Sequence, residues 1–252
     1  MIAPMDEATR ERSRVAAVPT GLPLTLTDLR VAFGETDGAP RVVLDIPHLE
    51  IAGGAQVAVC GPSGAGKTTL LHVLAGIEPL QQGVVRWGVV DIGAMTSRAA
   101  DRWRRETLGL VFQQFHLFPG MSALNNVLLP LRFDRVVIAA SDRERAGALL
   151  DRVDVNPYRR VERLSRGEMQ RVAIARALIN APAVVLADEP TASLDRETAT
   201  GVSDFLLRMC REQHATLVVV THDVALAGRF DQQFTLAPPR SWRMAANAAV
   251  IA

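Results

Sequence analysis

Of 28 basic residues only one is lysine, and it falls at Lys67 in the run Gly61-Pro62-Ser63-Gly64-Ala65-Gly66-Lys67-Thr68-Thr69. The run fits G-x-x-x-x-G-K-[ST], preceded by an apolar stretch over 56–60 and followed by Leu70 and Leu71, the strand-loop-helix setting the pattern requires. Glycines let successive backbone N–H groups turn toward phosphate oxygens, and the N-terminus of the next helix adds partial positive charge. Lys67 would reach the β- and γ-phosphates, and the Thr68 hydroxyl would ligate Mg²⁺. Most basic positions need only a solvated cation and accept arginine. A site that needs a compact ammonium does not, which makes the sole lysine the first residue to inspect.

A second set of oxygens follows downstream. The run Val184-Val185-Leu186-Ala187 reads as a buried strand ending in Asp188-Glu189. Strand ends of a parallel sheet face the ligand crevice. Asp188 could then hold Mg²⁺ through its water shell, and Glu189 could orient or deprotonate a water for in-line attack. Taken alone, two acids after an apolar run more often mark a strand end meeting solvent.

The elements that must position these groups can be read from periodicity. Short apolar runs over 24–31, 42–46 and 56–60, separated by Gly- and Pro-containing turns, give a strand-rich opening segment. A helix is predicted over 67–75, short strands over 83–92, a charged helix over 97–106 and a strand over 108–112. Residues from about 122 to 180 carry helical spacing, and beyond them strands at 184–187, 217–220 and 233–236 alternate with helices. That alternation implies a parallel sheet covered on both faces.

Composition narrows the function. With 252 residues and 48% AVILMFWYC the chain can bury a sizeable core, which excludes disorder of the whole. A net charge of +1 gives no global field for a polyanion, so no nucleic-acid partner is expected and any anion site is local. Cys60 and Cys210 are too few for a disulfide framework or a Cys-rich zinc site, and a reducing cytosol fits them. No apolar run approaches the roughly 20 residues that cross a bilayer. Residues 1–20 lack the apolar segment of a secretory signal and read as a flexible tail.

Five further motifs follow the phosphate loop in order: Val111-Phe112-Gln113, Leu164-Ser165-Arg166-Gly167-Glu168, Asp188-Glu189-Pro190-Thr191, Ser193-Leu194-Asp195 and Thr221-His222-Asp223. With them the sequence resembles the nucleotide-binding subunit of ABC transporters over about 22–236. The resemblance implies an α/β fold: a P-loop NTPase (RecA-like) core with a mainly parallel sheet, an N-terminal antiparallel β subdomain and an α-helical subdomain inserted at about 114–165. All of this would form one ATPase domain over 21–236, with a second tail at 237–252.

It also implies site roles. ATP and Mg²⁺ would be the cofactors. Gln113 would join the subdomains and sense Mg²⁺ and the γ-phosphate, His222 would contact the γ-phosphate, and Glu189 would activate water. Phe33 falls where the family commonly stacks an aromatic on adenine, and it could equally be core. Ser165 and Gly167 would bind phosphate across a head-to-tail dimer, two ATP molecules lying between the chains, with Asp195 at the same seam. A GTPase would need a base-reading N-K-x-D motif, which a chain whose only lysine is Lys67 cannot contain.

The usual family signature is Leu-Ser-Gly-Gly-Gln. Here Arg166 replaces its first Gly and Glu168 its Gln, while Ser165 and Gly167 remain, so a working ATPase is expected. Aromatic and apolar residues over 114–131 are expected to divide between packing and a groove for a coupling helix of a membrane subunit. The loop and the run 186–191 look most like the lipoprotein-releasing and macrolide-exporting (LolD- and MacB-like) branch. The partners implied are a second ATPase subunit, transmembrane permease subunits and a periplasmic adaptor, at the cytoplasmic face of the inner membrane. The competing reading is a mechanical regulator of a periplasmic or cell-wall partner that transports nothing. A chromosome or DNA-repair ATPase would need a long coiled-coil insertion or DNA-binding domains that 252 residues do not hold.

Overall fold

Leu24, Leu26, Leu29 and Val31 point inward from β1 (Leu24–Phe33) while Thr25, Thr27 and Arg30 face out, as a strand with one buried face requires. The alternation changes phase at Asp28, whose φ of 50° coincides with a register shift against β4 (Gln82–Trp87), so the bulge returns Leu29 and Val31 to the core. On the other side β1 pairs antiparallel with β2 (Arg41–Ile51), Leu24 opposite Ile51 and Phe33 opposite Arg41. With β5 (Val90–Asp91) they form a four-stranded antiparallel sheet in the order β2-β1-β4-β5. The structure is a computed structural model that describes residues 21–34, 40–133 and 137–237. The expected tails, 1–20 and 237–252, lie outside the described residues apart from Ala237.

The second sheet is parallel throughout. β3 (Gln56–Cys60), β6 (Leu108–Val111), β7 (Val184–Asp188), β8 (Thr216–Thr221) and β9 (Gln232–Thr235) lie in the order β6-β7-β8-β3-β9. β7 and β8 are buried along their whole length, which is why they read as unbroken apolar runs. The pleat sorts their side chains between two cores. Val57, Val59, Val184, Leu186, Val218 and Val220 join α1 (Lys67–Leu74) and the inner face of the antiparallel sheet. Ala58, Val185, Ala187, Leu217 and Val219 join the helices on the opposite face. The fully buried Trp87 ties β4 to α1 by donating from Nε1 to the Leu74 carbonyl at 2.9 Å.

Helix starts follow capping chemistry. Thr96 caps α2 (Ser97–Thr107) and Ser122 caps α3 (Ala123–Val127), each hydroxyl accepting from a backbone N–H three residues on. The helical spacing over 122–180 resolves into separate pieces: α3, α4 (Leu129–Arg132), α5 (Ala140–Asp151) and α6 (Arg166–Leu178). Pro130 has no N–H to continue α3, so a new short helix begins around it. Between α5 and α6, Asp154 takes a φ of 53° and Pro157 follows, and the chain runs through turns before the next helix begins. Beyond β7 come α7 (Arg196–Glu212), capped by Asp195, and α8 (Val224–Ala227), capped by Asp223.

Gly109 sets how closely α6 approaches the sheet. A Cβ there would stand 2.5 Å from the Ala177 carbonyl oxygen and 3.0 Å from Cγ of Pro182. Gly109→Ala is therefore expected to destabilise the fold by about 1–3 kcal/mol through overpacking. It should lower the urea midpoint without changing the slope of the transition.

Candidate nucleotide site

The loop between β3 and α1 is shaped by backbone contacts. Gly64 and Gly66 take φ values of 78° and 90°, a region that side chains disfavour. A Cβ on Gly66 would also press to 2.9 Å against the Val43 carbonyl oxygen of β2. Lys67, only 8% exposed, donates from Nζ to the carbonyls of Gly61 at 2.9 Å and Pro62 at 3.2 Å. The loop thus holds its ammonium over its own concave side, 3.8 Å from Oε1 of Glu189.

Glu189 leaves the end of β7 with a φ of 44°, left-handed backbone in a non-glycine residue, and its N–H donates to the Val220 carbonyl at 2.9 Å. This bend turns its carboxylate away from the strand. Oε1 lies 2.7 Å from Nδ1 of His222, and Oε2 accepts from the Thr221 hydroxyl and the His222 N–H, each at 3.3 Å. Asp188 remains in the strand, buried, and accepts from the Thr68 hydroxyl. Burial pushes its carboxyl above the ordinary aspartate range, against the Thr68 hydrogen bond, and its Oδ1 has no partner among the described residues.

Lys67, Thr68, Glu189 and His222 border one cavity of about 570 Å³, lined also by Val43, Ser63, Gly64, Gly66, Thr69 and Gln113; Asp188, bonded to Thr68, is not among the lining residues. Nine of the residues expected from sequence are among them, contributed by the phosphate loop and α1, the segment after β6, the end of β7 and the end of β8. Gly61, Pro62 and Ala65 frame the loop instead of lining it: the first two supply the carbonyls that hold Lys67, and Ala65 is buried. Val43 was missed by sequence reading. Its signal was faint, one half-buried outward position in the alternation of β2.

Four expected residues lie elsewhere. Phe33 ends β1, 41% exposed, and is absent from the cavity lining. Ser165, Gly167 and Asp195 are likewise absent from it and stand at two helix starts that touch. A Cβ on Gly167 would meet Cγ2 of Thr198 at 2.4 Å, so a glycine there is what lets α6 and α7 meet. Asp195 accepts from the Thr198 N–H at 3.0 Å, which holds its carboxyl below the usual range.

Ser165 and Glu168 form a reciprocal capping box, the hydroxyl accepting from the Glu168 N–H at 3.2 Å and Oε2 accepting from the Ser165 N–H at 2.7 Å. The Ser-x-x-Glu spacing was legible in the sequence, and it explains how Glu168 replaces a glutamine without loss of the helix start. Arg159 pairs with Glu168 at 2.9 Å. Arg166, the first residue of α6, is exposed.

A family model described as ABC transporter matches residues 44–192. The chain belongs to the ABC transporter family. This ABC protein is 39% identical over 216 residues to the lipoprotein-releasing system ATP-binding protein LolD of Legionella pneumophila (strain Paris), covering 84% of this chain and 95% of that one. It is 44% identical over 213 residues to the LolD of Paramagnetospirillum magneticum, covering 83% and 92%. The dimeric structure of a post-hydrolysis state of an ATP-binding cassette bound to ADP and Pi superposes with a TM-score of 0.77 at 32% identity, over 85% of this chain and 94% of that one. The parallel core, the antiparallel sheet and the helices between β6 and β7 are those of an ABC cassette, and the chain is an ATP-binding, ATP-hydrolysing subunit.

The donor set fits a nucleotide with its metal ion. The loop offers the Lys67 ammonium, and the Thr68 hydroxyl lining the cavity is bonded to Asp188, a buried carboxylate whose Oδ1 has no partner among the described residues. A buried, partly unsatisfied carboxylate weakens the fold when nothing binds it. Asp188→Asn is expected to raise the melting temperature of the nucleotide-free protein while lowering ATP hydrolysis by at least about a hundredfold. Melting curves and steady-state turnover check both halves.

Proposed function

We propose that the chain powers extraction of lipoproteins at the cytoplasmic face of the inner membrane, as one of two head-to-tail ATPase subunits bound to permease subunits and working with a periplasmic adaptor. The observation that carries the ATPase half is the convergence of Lys67, Glu189 and His222 on the phosphate-loop cavity. The cargo rests on relatives named for lipoprotein release, and they favour extraction over a mechanical regulator that transports nothing. No helix among the described residues is long and apolar enough to cross a membrane, so attachment would run through the permease.

In this reading the triphosphate takes over the Lys67 ammonium from the Gly61 and Pro62 carbonyls. The N–H groups of the loop and the N-terminus of α1 hold the β- and γ-phosphates. Thr68, Asp188 and Gln113 would hold Mg²⁺, which neutralises phosphate charge when bound. Glu189 accepts a hydrogen bond from the attacking water and takes up its proton as the oxygen closes on the γ-phosphorus. His222, bonded to Glu189 through Nδ1, keeps that carboxylate aimed and presents its other ring nitrogen to the γ-phosphate. Phe33, on the strand beside Val43's own, would stack on adenine, and Ser165, Gly167 and Asp195 would close the site from the second subunit.

A groove of about 530 Å³ suits the permease. It is bordered by Leu108, Leu110, Phe112, Phe118, Leu129 and Phe133, with Phe118 and Phe133 exposed. Of the 114–131 run, Phe118 and Leu129 border this groove, and an amphipathic helix would cover them together with Phe112 and Phe133.

Glu189→Gln separates binding from chemistry. It keeps Lys67, Asp188 and the loop, so ATP still binds while water activation fails, and turnover should drop by about a hundredfold or more. The variant should elute as a dimer with ATP in size-exclusion chromatography. A protein that stays monomeric in every nucleotide state would refute the head-to-tail arrangement. Lys67→Ala, in contrast, should lose affinity for ATP as well as turnover, read by equilibrium binding of a fluorescent ATP analogue.

A further inference from the structure

The loop that carries Gln113 is closed by two contacts that reach beyond the Val111-Phe112-Gln113 motif. Its first is internal: the rings of Phe112 and His116 meet edge to face with centroids 5.3 Å apart and planes at 85°, bracketing Gln113. His116 reaches this position with a φ of 46°, which L residues seldom adopt. The second comes from α6. Arg176 donates from Nη1 to the His116 carbonyl at 2.6 Å and from Nη2 to the Phe115 carbonyl at 2.8 Å. Both terminal nitrogens of the guanidinium fork are thereby spent on consecutive backbone carbonyls of one loop, and burial lowers the pKa of the group.

Arg176 lies three turns along α6 from its cap, so about 16 Å of helix separates the guanidinium from Ser165. Arg176, Phe112 and His116 all border the 530 Å³ groove, whereas Gln113 borders the phosphate-loop cavity. The same loop thus faces both spaces.

We infer that Arg176 is the positioning residue for Gln113: by pinning the Phe115 and His116 carbonyls to α6 it fixes where Gln113 stands in the nucleotide cavity and makes the groove, the nucleotide site and the signature helix move as one unit. The inference rests on the proposed role of Gln113. A displaced Gln113 leaves the phosphate loop intact, so the defect falls on turnover and not on nucleotide affinity.

The test compares Arg176→Lys, Gln113→Ala and the double variant in the full chain. Lysine keeps the charge but places one nitrogen where arginine places two. Arg176→Lys should retain cooperative melting and bind a fluorescent ATP analogue with affinity within about twofold of the parent, while kcat falls by about tenfold. In the nucleotide-free protein, amide hydrogen exchange over 113–118 should speed up, with α1 and β3 unchanged. The double variant should turn over no more slowly than Gln113→Ala alone, because the arginine acts through the glutamine. Independent, multiplying losses, or unchanged exchange over 113–118, would overturn the inference. If Arg176→Lys loses cooperative melting, His116→Gly takes its place: it removes the ring contact at an exposed position, frees the left-handed backbone, and should show the same local exchange and the same lack of additivity with Gln113→Ala. If Gln113→Ala turns over at the parent rate, the role of Gln113 fails, and the exchange measurement alone still decides whether Arg176 holds the loop.

Discussion

The ammonium of Lys67 is a charge that the fold removes from water and then leaves incompletely neutralised. Its partners are two neutral carbonyls at 2.9 and 3.2 Å and one carboxylate oxygen at 3.8 Å, beyond hydrogen-bond reach. Desolvating a cation under those terms is unfavourable unless an anion completes its shell. A triphosphate does so, and the same argument applies in mirror image to Asp188, whose Oδ1 lacks a partner among the described residues. The site therefore holds opposite charges side by side, poised for a ligand that is itself an anion carrying a cation. Arginine, used at the 27 other basic positions, is not equivalent at Lys67: here one buried nitrogen serves both carbonyls, and a guanidinium would bring a larger planar group into that space.

Holding that arrangement requires support from both sides of the parallel sheet. β3, β7 and β8 lie next to one another in the order β7-β8-β3, so the phosphate loop, Asp188-Glu189 and Thr221-His222 all emerge at the same carboxyl edge. The alternating residues below that edge lock into two separate cores, one against α1 and the antiparallel sheet and one against α6 and α7. A shift of any strand by one residue would exchange the two sets of side chains. The register that places Glu189 against His222 is thus enforced by Val218 and Val219 facing opposite ways.

This explains what was legible in the sequence. Strands that are buried on both faces announce themselves as apolar runs, and the loop and acids at their ends must be particular residue types, so much of the candidate site could be read from 61–69 and 188–189, with His222 added by the family resemblance. Three kinds of information were hidden. Val43 joins the cavity through tertiary packing of a separate sheet, which periodicity does not encode. The interruption of the helices over 122–180 depended on Pro130 and on the left-handed Asp154, local features outweighed in a reading based on spacing. Gly167, expected from the family resemblance to present its N–H to phosphate, also has a packing requirement against Thr198 that no spacing reveals.

The departures in the signature become intelligible on the same physical terms. Glu168 is held by the Ser165 N–H and by Arg159, and although burial opposes its ionisation, those bonds keep its carboxyl below the usual range. Its negative charge sits in the first turn of α6, where the helix dipole favours it. Such a carboxylate lowers the positive potential that the helix N-terminus would offer to a phosphate, while the exposed guanidinium of Arg166 restores a cation two residues away. The glutamic acid makes the helix start self-sufficient through its bond to the Ser165 N–H and its pair with Arg159, and Arg166 adds an exposed cation between Ser165 and Gly167.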